Sequence, residues 1–490
     1  MAVVDEKWQP ARLFPITGIG GADEQERRGC SAFLAVLQSV REFGRAITAR
    51  CGAPAGTIET FIEVPFTLGE AKYRPDGLIR VSRGQKSWTA LLEVKTGRND
   101  LHAEQINHYL DIAREQGFDA VITISHEVAT TPGVHPVAVD KRKLRKVDLH
   151  HLSWSRIHTE ALLEQTNQAV ADPDQAWILA EFVRYLENPK SGAWDFDDMG
   201  PDWVSVRNAA GLQTLRASDK ETLGVVARFD QLLAFSGMEL SRRLGANVQQ
   251  RLSKKERMEP ATRVQDQAIQ LAKTGQLKGS LVVPNTAAPI DILVDLRANR
   301  VDCSATVQSP TEGRTTTRIN WLLRQLKDAP RDLMITAASA RARDSGPSHP
   351  LHALVENPML LVENPQADIR SFTVTLCHAA GGKRGQGKGS FVTSVTDLVD
   401  RFYADVLLNL KVWSAPPPRP KSPPKEDAQE VVRPDAAADG GPGGEASETD
   451  AERPQTVSDA PVPSTSIEPV RTPPWTAGSA TPDGRSPTDQ

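Results

Sequence analysis

Three charged side chains between residues 75 and 95 have the types and spacing needed for metal-assisted chemistry. Asp76 precedes a predicted strand, and Glu93 and Lys95 lie two residues apart on the next strand. Side chains at i and i+2 share one face of a strand, so a hairpin would bring the three together. Carboxylate oxygens and a backbone carbonyl, which Val94 could supply, are the hard ligands that Mg²⁺ prefers. A bound cation would lower the pKa of a water molecule and Lys95 would stabilise the transition state, which is the chemistry of phosphodiester hydrolysis.

Alternating helices and short strands are predicted around this group. Apolar residues recur at helical spacing in the first helix, and the later apolar runs have the length and composition of strands. Asn99 and Asp100 are good N-caps for the next helix, which Gly117 ends. Helices are predicted at 22–49, at 101–116 and from about 155, and strands at 58–66, 77–81, 89–95, 118–125 and 147–152. The order α-β-β-β-α-β predicts an α/β fold with a mixed sheet covered by helices.

The residues on the two strands resemble the signature of the PD-(D/E)XK nuclease superfamily. The match consists of Pro75 and Asp76, then Glu93, Val94 and Lys95, with sixteen residues between the two carboxylates. The resemblance implies a restriction-endonuclease-like core over roughly residues 20–160. It also implies that Asp76 and Glu93 bind Mg²⁺ (or Mn²⁺), together with the Val94 carbonyl, and that Lys95 is catalytic.

The helix after the second strand carries a further match. Gln105 and Tyr109 are four residues apart and therefore share a helical face. They are similar to the Gln-x-x-x-Tyr motif of the RecB-like branch, which implies that they support the active site and contact nucleic acid. Many members place a further metal-binding Glu on the first helix. Glu24 and Glu26 are the candidates, and Glu26 is favoured.

A basic segment at residues 141–146 follows the core strands. It contains five cations among six residues, namely Lys141, Arg142, Lys143, Arg145 and Lys146. Such a cluster can bind phosphates in a salt-sensitive manner. It can equally be a solvated loop, and both interpretations stay open. Its position near the predicted site tips the balance slightly towards nucleic-acid binding.

The rest of the chain is predicted to form three further parts after a nuclease-like domain at residues 1–165. Helical patterns dominate residues 166–225, which we interpret as a helical connector. Strand and helix patterns predict a second α/β (α+β) domain of unknown role at residues 226–413. Residues 414–490 are rich in Pro, Ala, Ser, Asp, Glu and Gly, and they predict a disordered tail.

Composition excludes several other classes of protein. The formal net charge of the 490 residues is −4, so any attraction to nucleic acid must be local. The four cysteines are far apart and form no CxxC pair, which disfavours zinc sites and disulfides. The sequence has no signal-peptide pattern and no run of about 18 apolar residues. A cytoplasmic location is therefore expected.

Two functions are compatible with these patterns. The first is a Mg²⁺-dependent nuclease that hydrolyses nucleic acid, with DNA as the favoured substrate. The second keeps the same fold without catalysis, as a module that binds nucleic acid or scaffolds another protein through the second domain or the tail. The sequence leaves cleavage polarity, sequence preference and oligomeric state open.

Overall fold

The computed structural model describes residues 9–10, 22–97, 99–130, 134–167, 169–193, 195–339, 346–363, 368–385 and 387–415. The chain divides into two compact units, Met1–Pro417 and Pro418–Gln490, and the described residues all belong to the first. The tail predicted at residues 414–490 lies outside the described residues apart from its first two positions. Within the first unit the fold is mixed α/β, as the sequence predicts.

The N-terminal part forms a six-stranded mixed sheet of order β1-β2-β5-β6-β7-β8. Strands β6, β7 and β8 run parallel, and the other pairs are antiparallel. A separate hairpin is formed by β3 and β4. The elements are β1 (Gln9–Pro10), α1 (Ala22–Ser39), α2 (Arg41–Arg50), β2 (Thr57–Ile62), β3 (Phe66–Leu68), β4 (Ala71–Tyr73), β5 (Gly77–Arg83), β6 (Lys86–Val94), α3 (Ala103–Gln116), β7 (Ala120–Ser125), β8 (Asp148–Ser153) and α4 (Trp154–Thr166).

The single helix predicted at residues 22–49 is two helices in the structure. Val40 is extended, with φ −103° and ψ 101°, and separates α1 from α2. Gly44 lies so close to α1 that a Cβ at this position would meet the Leu37 carbonyl oxygen at 2.1 Å. The apolar spacing continues across the break because both helices bury side chains in the same core. Periodicity alone therefore did not reveal the bend.

Alternation along the central strands divides the apolar side chains between two layers. Leu92 and Val94 of β6 pack in a core with α1, α2 and α4. Leu91 packs on the opposite face, in a second core that includes Ile106 and Tyr109 of α3. Because side chains at i and i+2 share a face, Glu93 lies on the same face as Leu91, towards α3.

The C-terminal part of this unit is built on a seven-stranded antiparallel sheet of order β14-β13-β15-β12-β11-β10-β9. The strand and helix patterns predicted for residues 226–413 correspond to this sheet and its helices. The remaining elements are α5 (Pro173–Glu187), α6 (Trp203–Gly211), α7 (Lys220–Leu244), β9 (Gln249–Gln250), α8 (Lys254–Met258), α9 (Pro260–Thr274), β10 (Gln276–Val282), β11 (Ile290–Asp295), β12 (Arg300–Gln308), α10 (Thr315–Gln325), β13 (Met334–Ser339), β14 (Ser348–Pro350), α11 (Leu351–Glu356), β15 (Ile369–Ala379) and α12 (Phe391–Asp405). Short 3-10 turns occur at Lys143–Arg145, Pro189–Ser191, Pro358–Leu361 and Leu407–Asn409.

Two segments connect the cores of the two sheets. Helix α5 buries Leu179 and Phe182 in the core of the first sheet. The loop between β7 and β8 reaches the other way and buries Val128 in the core of the second sheet. The domain boundaries proposed from sequence stay a prediction. None of the helices in the described ranges combines the length and the apolar character needed to cross a membrane.

Candidate active site

The strand register brings the two predicted carboxylates together. Gly77 of β5 pairs with Leu92 of β6, so Asp76 and Glu93 occupy the next opposed positions. Asp76 Oδ2 accepts a hydrogen bond from the Val94 N–H at 2.8 Å, which fixes the orientation of this carboxylate. The Asp76 carbonyl in turn accepts from the Cys30 thiol of α1 at 3.4 Å. The first helix therefore holds the start of β5 in place.

Lys95 lies against Glu93. Its Nζ is 2.7 Å from Glu93 Oε1 and 3.3 Å from Glu26 Oε2. The main chain of Lys95 is anchored on both sides, because its N–H donates to the Ile124 carbonyl at 2.7 Å and its carbonyl accepts from the Trp154 indole at 2.9 Å. The ammonium group is thus positioned by its own strand, by β7 and by α4.

Glu26 is the acidic side chain of α1 that reaches this group. Its Oε1 accepts a hydrogen bond from Asn99 Nδ2 at 2.7 Å, while Oε2 contacts Lys95. Glu24 instead forms an ion pair with Arg28 on its own helix. The prediction that Asn99 and Asp100 cap α3 is wrong, since His102 occupies the N-cap position and makes no side-chain cap bond. The Asn99 amide donates a hydrogen bond to Glu26 instead.

Gln105 and Tyr109 share a helical face, as their spacing predicts, and they form a hydrogen bond. Gln105 Nε2 donates to the Tyr109 hydroxyl oxygen at 3.0 Å on the face of α3 that packs on the sheet. Tyr109 is buried, and burial together with the nearby Glu93 charge raises the pKa of its phenol well above the ordinary value. The phenol therefore stays protonated and can donate a hydrogen bond beside the two carboxylates.

Asp76 and Glu93 are buried next to each other, and each affects the electrostatics of the site. Burial, and then the Glu93 charge, raises the pKa of Asp76 well above the usual range of a carboxyl group. Burial opposes the charge on Lys95, but Glu93, Asp76 and Glu26 outweigh it and raise the pKa of the ammonium group. Among the described residues, Lys95 is therefore the cation that faces these carboxylates.

The residues at the site fit a divalent cation. Glu93 is 1 % exposed, and among the described residues its carboxylate is engaged by Lys95, whose Nζ lies 2.7 Å from Oε1, and by the Tyr109 phenol. With Asp76 and Glu26 also close to Lys95, the site has more carboxylates than one ammonium group offsets, and buried negative charge is costly unless a further cation offsets it. No three His, Cys, Asp or Glu side chains in the described ranges form a group that could hold an ion by themselves. Mg²⁺ does not require such a group, because one or two carboxylates and several waters usually suffice.

The predicted basic segment divides into one tied lysine and four exposed cations. Lys143 Nζ is 2.6 Å from Asp111 Oδ2 and 3.0 Å from the Asn107 carbonyl, so it fastens the segment to α3. Lys141, Arg142, Arg145 and Lys146 are exposed. Lys143 therefore serves a structural contact, while the other four are accessible to a polyanion.

Sequence reasoning missed the polar side chains that extend the site across the sheet. Thr123 of β7 pairs with Glu93, and His151 of β8 pairs with Thr123. Thr123 lies within the apolar strand predicted at residues 118–125, and His151 lies next to another histidine on the strand predicted at residues 147–152. A polar residue inside an otherwise apolar strand was the available signal, but only the register aligns it with Glu93.

Comparisons with known proteins identify no relative of this chain. No family model, no curated protein and no solved structure matches the chain. Functional assignment therefore rests on the geometry of the site.

Proposed function

We propose that the protein is a Mg²⁺- or Mn²⁺-dependent nuclease of the PD-(D/E)XK type, with a restriction-endonuclease-like core formed by the first sheet. The observation that carries the proposal is the buried Glu93 carboxylate, which lies opposite Asp76 in the strand register and 2.7 Å from Lys95 Nζ. This arrangement has little value as a source of stability. Strongly perturbed, charge-paired acids in one place are typical of functional sites.

Each side chain then has a role that its contacts support. Asp76, Glu93 and the Val94 carbonyl would hold the cation, which supplies charge stabilisation and an acidified water when bound. Lys95, already oriented from both sides of its main chain, would stabilise negative charge on the scissile phosphate. Tyr109, kept protonated and fixed by Gln105, would donate a hydrogen bond to the substrate or to a carboxylate.

The substrate proposed is a nucleic acid, with DNA favoured. The four exposed cations of residues 141–146 lie beside α3, the same helix that presents Gln105 and Tyr109. Phosphate contacts of this kind position a polyanion without reading its sequence.

Cleavage assays with matched variants test the proposal. Linear, circular and single-stranded DNA, and RNA, would be incubated with the full chain and Mg²⁺ or Mn²⁺. Glu93→Gln and Lys95→Ala should each reduce cleavage by about 10²-fold or more. Glu59→Gln on β2 and Lys86→Ala on β6 change the same residue types at exposed positions and should keep full activity. Cleavage that survives both site substitutions refutes the assignment.

A non-catalytic module is the second candidate, and one observation favours it. Glu26, the predicted third acidic ligand, is already engaged by Lys95 and by Asn99. A site whose charges are satisfied internally would bind nucleic acid without cutting it. Binding of DNA or RNA that is unaffected by a chelator, with no cleavage under any metal condition, would support this candidate against the first.

A further inference from the structure

Two exposed arginines are close in sequence to acids of the candidate active site. Arg27 follows Glu26 on α1, and Arg74 lies two residues before Asp76. Their side chains are 48 % and 65 % exposed, so both guanidinium groups are accessible from solvent. Neither arginine was among the residues predicted from sequence to contact nucleic acid.

A single carboxylate, that of Glu63, lies between the two guanidinium groups. Arg27 Nε is 3.2 Å from Glu63 Oε1, and Arg74 Nη1 is 3.8 Å from Glu63 Oε2. Within the described part of the chain, the other guanidinium nitrogens of both arginines make no hydrogen bond. A guanidinium group has five N–H donors in a planar fork, which fits the oxygens of a phosphate. The pair therefore has donors free for an anion.

The backbone of Glu63 is held against the start of the cation site. Glu63 lies one position beyond the last pair of β2 and β5, and its N–H donates to the Asp76 carbonyl at 3.1 Å. Its φ is 50°, a left-handed conformation that is uncommon for residues other than Gly, Asn and Asp. Burial, and then the charges of the site carboxylates and of Glu63, raise the pKa of the nearby Cys30 thiol. The Glu63 carboxylate is therefore close to the acids of the site.

The charge balance of the site explains why further cations would be needed for an anionic substrate. Three carboxylates surround the Lys95 ammonium group, namely those of Glu93, Asp76 and Glu26. A divalent cation would bring the charge of this group to about zero, which leaves little attraction for a phosphate. The two arginines exceed the Glu63 charge by one, so this edge of the site is positive.

We propose that Arg27 and Arg74 together bind a non-scissile phosphate of the nucleic-acid backbone, and that the Glu63 carboxylate occupies the place of this phosphate in the unbound protein. The inference rests on the proposed function, because it places the substrate against the edge of the cation site. Contacts of this kind fix the position of a nucleic acid without taking part in bond cleavage. They would act at the Asp76 end of the site, whereas the basic segment at residues 141–146 lies beside α3.

The salt dependence of binding tests this contact without cleavage. Duplex DNA, and single-stranded DNA and RNA of equal length, would be titrated with the full chain carrying Glu93→Gln in Mn²⁺. Adding Arg27→Gln with Arg74→Gln should weaken duplex binding about tenfold and lower the slope of log K against log salt by about 0.9, the value for one phosphate. Arg184→Gln with Arg243→Gln is the matched control, because these arginines are also exposed and ion-paired, and it should leave the slope unchanged. An equal slope for both double variants refutes the contact.

Glu63→Gln distinguishes a phosphate contact from an ordinary surface ion pair. The substitution keeps the backbone hydrogen bond to Asp76 and removes only the charge that competes with the phosphate. Duplex binding should therefore strengthen about two- to fivefold, which corresponds to the usual strength of an exposed ion pair. Glu181→Gln, which removes an ion-paired carboxylate from α5, should leave binding unchanged. Thermal melts would verify folding, and binding that is unchanged or weaker in Glu63→Gln contradicts the proposal.

Cleavage kinetics separate positioning from chemistry. In the otherwise unmodified chain, Arg27→Gln with Arg74→Gln should raise KM about tenfold and leave kcat within about threefold, because the arginines do not contact the reacting phosphate. A loss of kcat at constant KM would mean that the substitutions disturb Asp76, and the proposed role would be wrong.

The outcomes also separate this inference from the proposed function. If the unmodified chain cleaves nucleic acid but the arginine variant keeps the salt slope and KM, the nuclease stands and the phosphate contact is refuted. If the slope falls as expected but no metal supports cleavage, the phosphate contact stands and the nuclease is refuted. If the chain binds neither DNA nor RNA, both proposals fail.

Discussion

Replacing Lys95 by methionine should destabilise β6 far more than neutralising its partner Glu93. The Glu93 side chain is 2 % exposed and the Lys95 side chain is 15 % exposed. Lys95→Met keeps the length of the side chain but leaves the Glu93 carboxylate buried without its cation. Breaking a buried ion pair from one side typically costs about 3–5 kcal/mol. The same loss is therefore expected here when no divalent ion is present.

Glu93→Gln removes the buried charge instead of stranding it. Lys95 then still has Glu26 at 3.3 Å and enough solvent contact to remain charged. The expected cost is about 1 kcal/mol, the value of an ordinary hydrogen bond. The double variant should cost only about 2 kcal/mol, because neither charge is left behind. The coupling energy between the two positions is then about 2–4 kcal/mol, at the upper end of the range measured for residues in contact or slightly above it.

Hydrogen exchange of the peptide that covers β6 is the suitable assay, because it reports local opening free energy without requiring the whole chain to unfold in one step. Measurements would be made in chelator and then with Mn²⁺. Saturating cation should restore about 2.7 kcal/mol to Lys95→Met at 100 times the dissociation constant. Lys86→Met, at the exposed start of the same strand, should stay within about 0.5 kcal/mol of the parent. Equal costs for the two single variants, or strict additivity in the double, would refute the reasoning.

Three further predictions concern separate features. Because folding raises the pKa of Asp76, its stabilising contribution is complete below the ordinary aspartate pKa of 3.8 and is lost as the pH rises through the raised pKa of the folded state. Asp76→Asn should therefore gain about 1–2 kcal/mol at pH 7 in chelator by urea unfolding, and an unchanged pH profile would contradict this. Gly44→Ala should lower the free energy of unfolding by about 1–3 kcal/mol, because the added Cβ would collide with a carbonyl oxygen of α1. Gly224→Ala, where a Cβ would meet nothing within 4 Å, is the control and should be neutral or slightly stabilising. Equal melting temperatures for the two variants would contradict the close helix contact. Replacing the four exposed cations of residues 141–146 by alanine in a Glu93→Gln background should reduce the slope of log K against log salt for duplex DNA by up to about 3.6, and an unchanged slope would assign the segment to solvent.

Local patterns were sufficient to predict the central charged group. Glu93 and Lys95 share a face because strand side chains alternate, and Asp76 comes directly before a strand that a turn connects to theirs. Gln105 and Tyr109 meet because i and i+4 positions on a helix are neighbours. In each case, the information lies within a few residues of sequence.

The remaining parts of the site depend on pairing between distant segments. Thr123 looks like an apolar-strand residue until the parallel register places it beside Glu93. His135 belongs to a loop, and only the fold brings its ring to Thr123. Asn99 has the sequence features of a helix cap, but its amide donates a hydrogen bond to the Glu26 carboxylate of α1. Composition and periodicity do not predict these contacts, because the contacts depend on how strands that are distant in the sequence pair in the sheet.

The loop between β7 and β8 links His151 to the core of the second sheet. The Glu127 carbonyl lies 2.8 Å from His151 Nε2, and the next residue, Val128, is buried among side chains of the other core. Trimming the protein back to its first 165 residues would take away the anchor of Val128 and also the helix that contributes Phe182. Such a fragment would retain Asp76, Glu93 and Lys95. The loop that contacts His151 would no longer be anchored through Val128. A shortened version of the protein that is meant to preserve these contacts should therefore keep the chain intact through α12.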